Sequence, residues 1–295
     1  MSTIPTIICT VGGVLLIAIA LRDVFDVLFH ESGRAVLASL LMRLVWRGVR
    51  GIARRRRSAL SLAGPFSLLA VVTTWGLLLV VGWTLVFWPR MPDAFHLSSG
   101  VDPGSPFVDS LYTSLVTLST VGFGDISPAT PVLRVLTPLE ALLGLGLLTA
   151  SISWLLAIYP VLLRRRSLAY EINLLVDSQK QIGAAVLELG SGSAESILSE
   201  LTSRLVAVER DMATFPVAYY FSTADSRFSL PEALPALFDL AERGSEESVP
   251  AALRLRATML HDAIDDFANA LRGFHGGAEG STRELVEAYR RDHLG

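Results

Sequence analysis

From Ser58 to Trp88 the chain runs 31 residues without a single charge. A helix rising 1.5 Å per residue needs roughly 20 apolar residues to cross about 30 Å of hydrocarbon. That run is therefore expected to be a membrane helix with length to spare. Val135 to Leu163 is a second such stretch, interrupted only by Glu140, and Ile4 to Leu21 is a third. Three helical spans are expected. A hydrophobic content of 51% and a mean hydropathy of +0.49 over 295 residues agree with them and exceed what an ordinary water-soluble enzyme carries. The single Cys9 lies in the first apolar run, so no internal disulfide is available.

Arginine placement orients these spans, because loops retained in the cytoplasm carry the excess of Lys and Arg. Arg34, Arg43, Arg47, Arg50 and the run Arg54 to Arg57 lie between the first two spans, and Arg164 to Arg166 follow the third. Both flanks are expected to be cytoplasmic, with the C-terminus inside and the N-terminus and the 89–107 loop outside. Prolines 89, 92, 103 and 106 with Gly100 and Gly104 mark that loop as irregular chain. The N-terminal stretch lacks a basic leader and a small-residue cleavage pattern, so it is read as retained. Arg22, Asp23 and Asp26 at its far end call for snorkelling or for pairing with the arginine-rich helix. From Val36 to Arg57 the arginines share one helical face opposite Leu40, Leu44, Val45 and Trp46. This segment reads as an interfacial helix with Trp46 at headgroup depth and Arg43, Arg47, Arg50 and Arg54 toward anionic lipid headgroups.

The most informative residues are Thr120-Val121-Gly122-Phe123-Gly124-Asp125. Before them, Ser105-Pro106 reads as a helix N-cap and first-turn proline, and Phe107 to Ser119 as a helix too short to span. A short helix, a glycine-bearing hexamer and a long apolar helix form the order expected of a re-entrant pore loop, tolerable at membrane depth where it lines water. Gly122 and Gly124 at alternate positions open backbone conformations that a Cβ disfavours. Alternating handedness points successive carbonyls the same way. Four copies of Thr120 to Phe123 around an axis would then stack rings of hard, neutral oxygens suited to a dehydrated alkali cation.

On these residues the sequence resembles the single-pore prokaryotic potassium channels, over roughly residues 60 to 163. The resemblance implies passive K+ conduction, K+ held at Thr120, Val121, Gly122 and Phe123, with Gly124 completing the filter and Asp125 forming an acidic ring at the outer mouth. It implies a homotetramer, since one filter occurs per chain. It places a hinge in the inner helix near Gly144, with Gly146 as the alternative and close helix packing as the bland explanation of both. Two departures stand out: Phe123 replaces a commoner Tyr, and Val116 stands where some relatives place a carboxylate that buttresses the filter, which leaves Asp125 without that partner.

Glu140 is the one carboxylate deep in the inner-helix run, expected either to brace the pore helix through Thr113 or Thr117 or to modulate the pore. Asp109 is expected to complement the pore-helix N-terminus. The expected fold is thus an all-α membrane protein: an N-terminal span (1–30), a basic interfacial helix (31–57), a potassium-channel pore domain (58–166) and a helical cytoplasmic domain (167–295). The last holds 11 Lys and Arg against 20 acids, which argues against nucleic-acid binding. Its helices are expected near 167–190, 193–214, 230–243, 249–273 and 281–292, with a packing stripe at Ile197, Leu201, Leu205 and Val208. Phe215, Tyr219, Tyr220 and Phe221 form an aromatic cluster expected in its core, and His261, Asp262, Asp265 and Asp266 read as a solvated acidic face or half a cation site. No catalytic constellation, cofactor site or phosphate-binding loop is present, so no enzyme is expected. A cytosolic partner or ligand has no signature here. The alternative is a non-conducting membrane sensor or scaffold that signals through its C-terminal helices.

Overall fold

The computed structural model describes residues 3–29, 35–53, 57–98, 104–274 and 280–294. The expectations placed on His30, Arg34, Arg54, Arg55, Arg56, Gly100, Pro103, His275, Gly276 and Gly277 lie outside them. Within the described residues the chain is almost wholly helical: α1 (Thr3–Phe29), α2 (Val36–Ala53), α3 (Ala63–Phe87), α4 (Pro106–Leu118), α5 (Pro131–Ile182), α6 (Ser191–Thr214), α7 (Leu230–Gly244), α8 (Ala251–Leu271) and α9 (Thr282–Leu294). Three of these belong to stretches long and apolar enough to cross a membrane, Ile4–Phe29, Leu60–Arg90 and Pro131–Ile182. They coincide with the uncharged runs of the sequence. The chain divides into two compact units.

The first unit holds α1, the start of α2, most of α3, α4 and the first part of α5. Helices α1 and α3 meet at Gly13 and Gly82, where a Cβ on Gly13 would overlap the Gly82 carbonyl oxygen. Small residues allow this because neighbouring apolar helices in lipid gain from close backbone packing, with no hydrophobic drive between them. Asp23, only 5% exposed, accepts hydrogen bonds from Trp75 Nε1 (2.8 Å) and from the amides of Leu37 (3.1 Å) and Ala38 (3.2 Å). The expected pairing with the arginine-rich helix is therefore made to its backbone. The carboxylate satisfies two orphan N–H groups in the first turn of α2 and lies at the positive end of its dipole.

Residues 91–98 are more regular than the prolines of this loop suggested. Phe95–Leu97 forms a strand, β1, antiparallel to β2 (Ile126–Pro128), with Phe95 opposite Pro128 and Leu97 opposite Ile126. Three-residue strands paired across some thirty positions leave no local periodicity to read. Trp83, Phe87, Met91, Phe95 and Leu133 bury together and seat this ribbon on α3 and α5.

Helix α5 differs from expectation in length. It runs unbroken to Ile182, so no separate helix starts at 167. Arg164 to Lys180 contain no glycine or proline to stop it, and it ends where Gly183 takes φ +68° and donates to Gln179 O, a C-terminal glycine cap.

The second unit packs α6 to α9 with residues 42–68 and α5 from Ala157 onward. α8 lies against α6, α7 and α9, and Leu201, Leu205 and Val208 of the expected stripe are buried with Leu198, while Ile197 is half-buried. Tyr219, Tyr220 and Phe221 are buried as expected while Phe215 is half-buried, and Trp46 joins the two tyrosines. Trp46 is 5% exposed, its ring 6.1 Å from Tyr219, 5.8 Å from Tyr220 and 5.0 Å from His293, so it does not sit at headgroup depth. Aromatic partners with matching faces offer this indole more apolar contact than an interface does. Arg50 pairs with Asp292 and is committed to α9, while Arg43 and Arg47 lie on the exposed side of α2.

His293 is buried with its ring nitrogens 2.8 Å from Tyr219 O and 3.0 Å from Tyr289 O. A neutral imidazole donates to one of them. Burial pushes its pKa down to about 4, opposed in part by these carbonyls. The unfolded chain, with His near 6.5, takes up this proton first as pH falls. The stabilisation is complete above pH 6.5 and is lost between 6.5 and 4, on the order of 3 kcal/mol in all. In full-length protein in detergent, the unfolding midpoint of the C-terminal helices is expected to drop across that window. His293→Leu flattens the dependence, and an unchanged pH slope in the variant would assign the effect elsewhere.

Candidate functional site: a re-entrant pore loop

Helix α4 starts where expected, with Ser105 at the N-cap position and Pro106 at N1, although the Ser105 hydroxyl makes no capping bond. Asp109 lies in its first turn, near the positive end of the helix. Thirteen residues extend only about 20 Å, too little to cross a bilayer. The chain must therefore turn back, and Ser119 to Asp125 carry it.

That segment has an unusual backbone. Thr120, Gly122 and Gly124 have φ of 60°, 56° and 77°, while Val121 and Phe123 between them do not enter the positive region. The two glycines were legible as such positions. Thr120 was not, because a β-branched residue at positive φ is strained by roughly 1–3 kcal/mol and no propensity rule would place it there. Neighbouring amides pin it: Thr120 N donates to Thr117 O (2.9 Å) and Val121 N to Val116 O (3.0 Å), so the last carbonyls of α4 receive the incoming strand. The Val121 and Phe123 side chains are 55% and 70% exposed.

Beyond the loop, Ser98 N donates to Asp125 O (2.9 Å) and the Ser98 hydroxyl to Gly124 O (3.3 Å), extending the β1–β2 pairing to the loop's outer end. Asp125 has a side-chain partner after all. Tyr112, one turn before Val116 on α4, donates its hydroxyl to Asp125 Oδ2 at 2.7 Å. A phenol reaches from four residues earlier what a carboxylate would reach from 116.

Glu140 is fully buried on α5. Its Oε1 accepts from Ser114 Oγ at 2.6 Å, and Ser114 Oγ also lies 3.2 Å from Val80 O. The brace to the pore helix thus exists, but through Ser114; Thr113 spends its hydroxyl on Asp109 O in its own helix. Glu140 Oε2 has no hydrogen-bond partner among the described residues. Gly144 faces the end of α4, where a Cβ would overlap Leu118 O, whereas a Cβ on Gly146 would meet nothing within 4 Å. α5 is unbroken at both. In the C-terminal unit, His261, Asp262 and Asp265 bring their ligand atoms within 4.8 Å of one another, while the other Asp265 oxygen accepts from the Thr282 hydroxyl.

With this geometry in view, residues 73–159 match the ion-channel family Ion_trans_2. The fold is that of an all-α membrane channel. The chain is similar to YdjJ, an uncharacterized membrane protein of Bacillus subtilis (strain 168), with 24% identity over 267 residues covering 90% of this chain and 77% of that protein. It is also similar to two pore potassium channel c of Oryza sativa subsp. japonica, with 37% identity over 83 residues, 27% of this chain and 18% of that protein. No solved structure matches.

Two outcomes follow from this channel geometry. Tyr112→Phe removes a hydrogen bond to a charged acceptor, worth roughly 1.5–3 kcal/mol, and should speed amide exchange at residues 121–125; unchanged exchange would show that the bond does not hold the loop. Gly144→Ala overpacks the junction with Leu118 and is expected to cost about 1–3 kcal/mol in thermal unfolding, while Gly146→Ala leaves the midpoint nearly unchanged.

Proposed function

We propose that this chain is one subunit of a potassium-selective channel whose pore is built by four copies. The observation that carries the reading is the alternation of positive φ at Thr120, Gly122 and Gly124 within TVGFGD, directly after a helix too short to span. Such a backbone turns carbonyls of Thr120, Val121, Gly122 and Phe123 toward one axis, and fourfold repetition closes each set into a ring that replaces the hydration shell of K+. One chain supplies a quarter of each ring. Asp125, held by Tyr112, would set an acidic outer mouth that concentrates cations. Glu140 would act from behind, anchoring α4 through Ser114 so that the filter stays open to its own width.

In this reading the arginine-rich flanks face the cytoplasm and the N-terminus and the β1–β2 ribbon face outward. Arg47 would serve as a headgroup contact of α2, since Arg50 is engaged by Asp292. Gly144 serves packing and Gly146 is the residue left to flex. Similarity to an ion-channel family and to a plant protein named as a potassium channel supports transport over catalysis.

The test is cation flux through purified protein in liposomes. Wild type is expected to pass K+ well above Na+. Gly122→Ala, which places a Cβ at φ +56° at a cost of about 1–2 kcal/mol per residue and distorts the ring, should abolish that selectivity or the flux itself. Absence of K+ flux from correctly assembled wild type would turn the reading to a non-conducting sensor.

A further inference from the structure

The three consecutive arginines that close the inner-helix apolar run are put to different uses. Arg164 holds Asp211 on α6 with two bonds of 2.6 Å. Arg165 is 5% exposed and donates to the carbonyl oxygens of Ala218 and Phe221. Arg166 lies about 100° further round the helix, exposed, and makes no hydrogen bond or ion pair with any described residue. Its guanidinium offers five N–H donors in a planar fork beside a cavity.

Arg166 lines two adjoining cavities of about 310 and 330 Å3, which share Leu163, Arg166 and Thr223. Ser61, Ser222 and Ser167 are among their lining residues, and no carboxylate among the described residues borders either one. The nearby acids are already committed, Asp225 to Arg227 and Glu171 to Arg204. A planar donor fork ringed by hydroxyls and free of negative charge is complementary to a phosphate group.

We propose that the cavity at Arg166 binds the phosphate of an anionic membrane phospholipid. The apolar part of the lining selects the lipid over a soluble anion. Pro65 lies in the first turn of α3, and Tyr159 and Leu162 lie within a turn or so of Arg164 to Arg166 on α5, so the cavity lies where apolar helix gives way to charge. Leu156 and Tyr159, 67% and 64% exposed, continue the surface along which acyl chains would lie. The proposal is independent of conduction, because the ligand is held by the ends of the spans and not by the filter.

Native mass spectrometry of the full-length protein, extracted with a mixture of phosphatidylglycerol and phosphatidylcholine, reads this directly. Wild type is expected to retain phosphatidylglycerol preferentially, and Arg166→Gln to reduce that retention about tenfold, the loss of one charge-assisted contact. Arg210→Gln removes an exposed charge from α6 outside the cavity and should retain lipid as wild type does. Thr223→Val, which keeps every charge, provides a second reduction if Arg166→Gln does not fold. Retention unchanged in both cavity variants overturns the proposal. So does displacement of the lipid by millimolar inorganic phosphate, which would assign the site to a soluble anion.

Discussion

Hydrocarbon offers no partner to a backbone amide, so the non-helical residues Thr120 to Asp125 can exist between membrane helices only if protein groups receive them. Here the receivers are the last carbonyls of α4 at one end and Ser98, next to the β-ribbon, at the other. Everything around the loop serves to keep those two ends in place. Gly144 lets α5 touch the end of α4 without an intervening side chain, Ser114 and Glu140 tie the middle of α4 to α5, and the buried cluster of Trp83, Phe87 and Phe95 seats the ribbon. The strain at Thr120 is tolerable because its amide and those beside it are already bound.

Charge is handled by the same economy of partners. The acidic side chain of Asp23 is spent on the first turn of α2 and on Trp75, which gives a buried carboxylate three hydrogen-bond donors. In the second unit Arg164 and Arg165 are spent on Asp211 and on two carbonyls, and Arg50 on Asp292. Helix α2 therefore begins in one unit and ends in the other with each end fastened, by a cap at the start and by Trp46 and Arg50 farther on. Helix α5 likewise belongs to both units and continues through the boundary without a break.

Much of this was legible before any coordinates. Uncharged runs located the three spans, Ser105-Pro106 located the pore helix within a residue, and the spacing of Gly122 and Gly124 located the two positions where a left-handed backbone is cheap. These are local properties, decided by composition over one turn or one span. The errors have a common origin in longer range. Trp46 looked amphipathic within its own helix and was assigned to the interface, yet its partners Tyr219 and His293 lie more than 170 positions away. Thr113 and Thr117 were as plausible as Ser114 for Glu140, since helical phase alone does not say which hydroxyl is already used by its own backbone.

The sequence by itself determined the three apolar helices of membrane-crossing length, the short helix followed by a loop, and the two glycines that take positive φ, because each follows from hydrophobic length or from the steric freedom of glycine. Only the tertiary structure decided who satisfies whom. It assigned Tyr112 to Asp125, Asp23 to the amides of α2, Trp46 to an aromatic core, and it left Arg166 with a cavity instead of a partner. Pairing of polar groups is a contest among all donors and acceptors that folding brings together, and the order of residues along a chain does not rank the contestants.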